Sequence, residues 1–160
     1  MHSVLIITRQ LQFLQKNILS SKEMCCIDIL DRLADAGLCS FKIEGRLKDV
    51  DYVKNITAAY SEALNKIVAK HPDRFRRASF GRCTYTFKPD VKKSFNRGFT
   101  TYFADGRQQD LVSFDTPKAM GEPIGKVKEI RGHSFNVATT ASFANGDGLC
   151  YLDNNRQLIG

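Results

Sequence analysis

The chain has 160 residues, of which 42% are hydrophobic and 26% are charged, a composition typical of a soluble globular protein and not of a disordered one. Its net charge of +7 favours a polyanionic partner without requiring one. No run approaches the roughly 20 apolar residues of a membrane span, and the apolar run at 4–7 is too short for a secretory signal. We therefore expect a cytoplasmic protein without a membrane partner.

Five cysteines are scattered along the chain without a C-x-x-C pair: Cys25, Cys26, Cys39, Cys83 and Cys150. An odd number at these spacings argues against a disulfide framework and against a self-contained zinc site. The three histidines are isolated, so no metal site or catalytic dyad is predicted from them. A reducing compartment fits this cysteine content best.

The first predicted helix covers about residues 24–34. Ser20 and Glu23 have the spacing of a capping box in front of it, and apolar residues then recur at helical intervals. Gly37 suits the cap at its C-terminal end. Residues 38–44 read as a strand that leads into a second helix.

The second helix is predicted over residues 50–70, where apolar residues form one stripe. Asp49 or Asp51 can cap its N-terminus, and His71 followed by Pro72 ends it. A helix, a strand and a second helix joined by short loops are the element order of a β/α-repeat fold. Because a closed (β/α)₈ barrel needs about 250 residues, this chain can hold at most one or two of its repeats.

The predicted strand carries an unusual set of ionic side chains. Phe41 and Ile43 point to one face, whereas Lys42, Glu44 and Arg46 point to the other. In a barrel wall the second set faces the interior or the upper rim, where it can bind a polar or anionic substrate. The same three residues could equally form a structural ladder of ion pairs, and spacing alone does not decide between the two.

The segment from 74 to 97 holds the excess positive charge, set against the single acid Asp90 and interleaved with aromatic residues. One strand is predicted in it, over residues 83–87. Its cations could neutralise RNA phosphates while its rings stack on bases, or the rings could be core and the charges a solvated face. We expect core for most rings and RNA contact for these cations: Arg74, Arg76, Arg77, Arg82, Lys92, Lys93 and Arg97.

The C-terminal part shows only β signals. Strands are predicted over 124–130 and 135–139 around a turn at 131–133, and shorter ones over 149–152 and 156–159. Such a meander favours a small antiparallel β-barrel or sandwich, so the fold class is α+β. The predicted domains are residues 1–72, the end of a TIM-like catalytic domain; 73–117, a basic aromatic connection; and 118–160, the start of a β-barrel-like domain.

Four motifs carry a resemblance to a known family. They are SFKIEGRLKDVDYVKN at 40–55, FNRGFT at 95–100, PKAMGEPIGKV at 117–127 and NGDGL at 145–149. Together they resemble the collagenase-like peptidase family U32, and most closely its branch that hydroxylates a cytidine in large-subunit ribosomal RNA. Members of that branch have a TIM-like domain in front and β-rich domains behind, so the resemblance implies that this chain is a piece of a longer protein. Residues 1–16 match nothing in that pattern.

The resemblance implies a role for two groups of residues. It favours a site at the ionic strand, with Glu44 and Arg46 ahead of Lys42. It also implies an iron–sulfur cluster held by four cysteines in the complete protein, of which Cys25, after Lys22-Glu23-Met24, matches one. Because such clusters are normally bound by four thiolates, we expect no cofactor in this chain by itself.

Three hypotheses about function follow. The first is a fragment of an enzyme that hydroxylates a base of ribosomal RNA, inactive alone. The second is a collagenase-like protease, although no GxSxG or HExxH motif supports proteolysis. The third is an RNA-binding or assembly module without chemistry of its own. Unpaired strand edges and an apolar helix face also predict self-association.

Overall fold

The computed structural model describes residues 19–155 and 157–160, and it confirms a mixed α+β chain. Two α-helices lie in the first half, and short strands dominate the second. The elements are β1 (Glu23–Met24), a 3₁₀ turn (Ile27–Ile29), α1 (Leu30–Asp35), α2 (Val50–Lys70), a second 3₁₀ turn (Val91–Lys93), β2 (Phe99–Thr100), β3 (Lys126–Arg131), β4 (Ser134–Ala138), β5 (Tyr151–Leu152) and β6 (Leu158–Ile159).

The strands form three separate pairs. β1 and β2 are parallel, with Glu23 opposite Phe99. β3 and β4 form the predicted antiparallel hairpin around Gly132, whose φ of +56° lies in the left-handed region that glycine tolerates best. β5 and β6 form a second, shorter hairpin, with Arg156 outside the described residues. Within 19–155 and 157–160 no ladder joins the two hairpins, and the assignment of residues 118–160 to the start of a β-barrel-like domain stays a prediction.

The capping box predicted at Ser20 and Glu23 is wrong. The Ser20 hydroxyl donates a hydrogen bond to the Thr116 carbonyl at 3.3 Å, and α1 begins only at Leu30. Residues on either side of β1 pair with distant segments, and those long-range bonds replace the expected local cap. The C-terminal signal is confirmed, because Gly37 has φ +92° and donates its N–H to Ala34.

The predicted strands over 38–44 and 83–87 do not form. A strand needs a ladder partner, and among the described residues neither segment has one. The alternation in the first segment nevertheless persists as burial, since Phe41 and Ile43 are half-buried while the ionic residues between and after them are exposed. The TIM-like assignment of residues 1–72 stays a prediction.

The second helix forms as predicted. The Asp49 carboxylate accepts a hydrogen bond from the Tyr52 N–H at 2.6 Å and caps α2, which ends at His71. α2 packs on α1 through a small core in which Leu30, Ala34 and Ile67 are buried. Phe41 and Phe75 pack against this core from the flanking segments. No helix in the described part of the chain combines the length and apolarity needed to cross a lipid bilayer.

Candidate functional site

An ion pair with several hydrogen bonds joins β1 to the turn before β2. The Glu23 carboxylate accepts hydrogen bonds from the Arg97 backbone N–H at 2.6 Å, from Nε at 3.0 Å and from Nη2 at 2.7 Å. The remaining guanidinium nitrogen, Nη1, donates to the Ser20 hydroxyl at 3.2 Å. Both charged side chains are largely shielded, with 14% of the glutamate and 23% of the arginine exposed. Such a shielded, geometrically matched pair fixes the two segments against each other.

The sequence analysis missed this pair because it assigned Glu23 to a helix cap. The parallel register of β1 and β2, which places Glu23 opposite Phe99, brings the carboxylate beside Arg97. Gly98 allows the turn with φ +90°, and the aliphatic part of Lys22 lies against it. The available signal was the FNRGFT motif, whose arginine was noted without a partner.

Lys48 connects the two family motifs in space. Its Nζ lies 3.1 Å from the centre of the Phe95 ring and 5.6 Å from that of Tyr52. The Arg97 guanidinium is 5.5 Å from the same Phe95 ring, so two cations share one aromatic face or edge. Burial lowers the pKa of Lys48; Glu23 raises it and Arg97 lowers it further. The amine is therefore more easily deprotonated than an ordinary lysine.

The predicted ionic triad is only partly brought together. Lys42 and Glu44 form an ion pair at 2.6 Å, with 86% and 70% of their side chains exposed. The pKa of Lys42 is raised by its hydrogen bond to Glu44 and by that carboxylate's charge. Arg46 is exposed and forms no ion pair with a described acid. All three side chains face solvent in this chain, and their catalytic role stays a prediction.

Cys25 lies beside a half-buried tyrosine. The Tyr60 hydroxyl donates to the Cys25 Sγ at 3.8 Å and accepts the Cys26 N–H at 3.0 Å. Burial is the main reason that the pKa values of Tyr60 and of the Cys26 thiol are both raised. The part of the chain that the structure describes contains no group of three or more metal-ligating side chains. The assignment of Cys25 as one iron–sulfur ligand stays a prediction.

An open groove of about 910 Å³ runs along the Arg97 turn. Side chains of both charges line it, among them Lys22, Lys92, Asp110 and Glu122. The Asn96 side chain is buried and donates to the carbonyls of Lys92 and Ser94 at 3.0 and 2.9 Å, which holds the turn rigid. The groove can accept a polar chain that presents both donors and acceptors.

The predicted RNA-contact cations divide into two groups. Three already have partners: Arg74 pairs with Asp35 at 3.0 Å, Arg77 donates to the Gly81 carbonyl, and Arg97 is held by Glu23. The remaining four are exposed: Arg76, Arg82, Lys92 and Lys93.

The expectation that most rings of this region are core is wrong. None of the eight aromatic residues between Phe75 and Phe103 is fully buried, and Phe80 is completely exposed. The reason is that the described part of this region forms no sheet beyond β2 and so has no second layer to cover the rings.

The sequence profile of Peptidase family U32 matches residues 8–113 of the chain. The chain belongs to this family. The match begins inside the N-terminal segment that the motifs left unplaced, and it includes both the Lys48 and the Arg97 motifs.

Proteins similar to this chain are named for different activities. The chain is 44% identical over 146 residues, 91% of its length, to the 23S rRNA 5-hydroxycytidine C2501 synthase of Escherichia coli. It is 44% identical over 52 residues to the tRNA hydroxylation protein P2 of Bacillus subtilis, 32% of this chain and 17% of that protein. It is 33% identical over 82 residues to a collagenase of Porphyromonas gingivalis, 51% of this chain and 21% of that protein.

The chain spans about a fifth of the length of the curated relatives it matches, 22% in the case of the Escherichia coli synthase. No solved structure matches it with significance.

The contribution of the Glu23–Arg97 pair to stability can be measured by a double-mutant cycle. We expect Glu23→Ala and Arg97→Ala to couple by about 1.5–3 kcal/mol in the free energy of unfolding, because either single change leaves a shielded charge without its partner. The matched control is Lys42–Glu44, a pair of similar length that is mostly exposed and should couple far less. Equal coupling in the two pairs would show that the Glu23–Arg97 pair does not hold the segments together.

Proposed function

We propose that this chain is part of a U32 protein that hydroxylates a base in ribosomal RNA. The observation that carries the proposal is the extent of similarity: the match to the Escherichia coli rRNA synthase covers 91% of the chain at 44% identity. The collagenase match covers 51% at 33% identity. A tRNA hydroxylation protein among the relatives supports RNA as the substrate class.

The geometry supports an RNA-directed role for the Arg97 region. Lys48 and Arg97 place two cations at one ring, and the adjoining groove carries Lys92 together with Lys22, which pairs with Asp110. Cations beside an aromatic ring, next to a groove with both donors and acceptors, suit a nucleotide, which presents a phosphate and the polar edge of a base. In this proposal Lys48 and Arg97 orient the RNA, and Glu44 at the exposed end of the KIEGR segment contacts the base.

Cys25 is proposed as one ligand of an iron–sulfur cluster in the longer protein. The hydrogen bond from the Tyr60 hydroxyl supports this, because donors to sulfur orient and stabilise a thiolate ligand. The cluster, when bound, would supply electron transfer for the hydroxylation. The remaining ligands and the rest of the site would come from outside this chain, which spans about a fifth of its relatives, and we therefore propose that the chain alone has no turnover.

A peptidase activity is the second candidate, favoured by the family name and the collagenase relative. A cysteine peptidase needs a base at its thiol, commonly a histidine. The group at the Cys25 thiol is instead the Tyr60 hydroxyl, whose pKa is raised by burial, so it is a poor base at neutral pH.

Mass spectrometry of ribosomal RNA tests the reaction. Deleting the full gene should remove one hydroxylated base, and the intact gene should restore it. We expect Glu44→Gln in the complete protein to abolish the modification, because the neutral amide keeps the shape and loses the charge. The control is Glu129→Gln, which removes another exposed carboxylate, paired with Arg131, and should leave the modification intact.

Two results together would contradict the proposal and favour a peptidase. They are unchanged ribosomal RNA in the deletion strain and cleavage of gelatin by the purified protein. Full modification by the Glu44→Gln protein would remove that residue from the site and leave the reaction standing.

The cluster ligand is tested by iron and sulfide analysis of the purified full-length protein with its visible spectrum. Cys25→Ser should lose most of the iron, because oxygen replaces a thiolate ligand, whereas the neighbouring Cys26→Ser should retain it. Equal iron content in the wild type and the Cys25→Ser protein would contradict the assignment.

A further inference from the structure

Residues 76–84, here called the arginine loop, are held at both ends and exposed between them. At the N-terminal end Phe75 packs against the core of α1 and α2, and Arg74 pairs with Asp35 at 3.0 Å. At the C-terminal end the Tyr85 hydroxyl donates to the Glu62 carboxylate on α2 at 2.7 Å. Every residue of the loop itself is exposed. The fold thus presents this segment to solvent from two fixed points.

The charge of the arginine loop has one sign. No acid occurs from residue 74 to 89, a stretch that carries five cations. Arg76, Arg77 and Arg82 form no ion pair with any acid in the described ranges. Arg77 instead donates to the carbonyl of Gly81 and closes a turn. A surface with several cations and no acid attracts a polyanion more strongly than an ordinary protein surface.

Phe80 lies between Arg77 and Gly81 in the sequence, and its side chain is fully exposed. A single exposed apolar residue needs no explanation by itself. Here, however, the residue belongs to the segment that the Arg77–Gly81 hydrogen bond closes, with Arg76 and Arg82 on either side in sequence. Proteins that bind single-stranded nucleic acid combine these features, a cationic track for the phosphates and an exposed ring for a base.

We propose that the arginine loop binds single-stranded RNA, with Phe80 stacked on an unpaired base and Arg76 and Arg82 at the flanking phosphates. Arg77 is a positioning residue that holds the turn. This deepens the proposed function, on which it rests, by naming the surface that captures the RNA and the form of RNA that it takes. A structured duplex would offer phosphates but no free base face for the ring.

Binding of a fluorescent, unstructured RNA oligonucleotide to the full-length protein tests the loop. Phe80→Ala should weaken binding roughly 5- to 150-fold, the range for losing one stacked base, without changing the salt dependence. Phe80→Trp should restore it. Arg76→Gln with Arg82→Gln should instead reduce the salt slope by about 0.7 for each lost phosphate contact. Phe103→Ala, which removes another exposed ring outside the loop, should bind like the wild type.

Photocrosslinking supplies a second readout. RNA containing 4-thiouridine should crosslink to the tryptic peptide of residues 78–82, which trypsin releases by cutting after Arg77 and Arg82. Crosslinks only elsewhere, or wild-type affinity in Phe80→Ala, would overturn the proposal. So would a Phe80→Ala protein that loses a protein partner but binds RNA normally.

Failure of the loop and failure of the proposed function are distinguishable in the same strains. If the Phe80→Ala protein binds and hydroxylates ribosomal RNA normally, the stacking role is wrong and the proposed reaction stands. If the deletion strain has unchanged ribosomal RNA, the proposed reaction is wrong whatever the loop binds.

Discussion

The carboxylate of Glu23 and the guanidinium of Arg97 join segments that are 74 residues apart, and the rest of the candidate site depends on that junction. β1 and β2 contribute only two residue pairs, too few for a stable parallel ladder in water. The backbone and side-chain nitrogens of Arg97 add three bonds to one carboxylate, which lies mostly out of solvent. The FNRGFT turn is thereby placed against β1.

Lys48 connects the motif at 40–55 to the FNRGFT turn through its contact with Phe95. It directly precedes Asp49, the N-cap of α2, so the start of the helix fixes its position. Its ammonium group lies over the Phe95 ring in a cation–π contact. The ionic pair that the sequence made prominent, Lys42 and Glu44, lies a few residues earlier and faces water. The motif therefore has an anchored end at Lys48 and a solvent-exposed end at Lys42 and Glu44.

Local signals were enough for the elements that local contacts determine. α2 has its cap at Asp49 and its stop at His71, and the β3–β4 hairpin has a glycine where the turn needs positive φ. The capping box at Ser20 failed because a serine and a glutamate at cap spacing can equally well bind partners far along the chain, here Thr116 and Arg97.

The strand predictions failed for a related reason. Alternation over 38–44 specifies which side chains are covered, and the half-buried Phe41 and Ile43 show that it did so. It does not specify a ladder partner, which must come from another segment. The site was predicted in the same partial way: Arg97 was identified as polar and important to a motif, but its carboxylate partner and the neighbouring Lys48 are set by tertiary contacts.

The contact of Lys48 with Phe95, which brings the two family motifs together, is tested most directly by NMR. For this measurement the lysines of the chain are reductively methylated with carbon-13. The account predicts that the methyl signal of Lys48 is shifted by the Phe95 ring current and titrates at lower pH than those of the exposed lysines, since burial lowers its pKa. Phe95→Leu should remove the ring-current shift. A Lys48 signal that coincides with the exposed lysines and ignores Phe95→Leu would contradict the account.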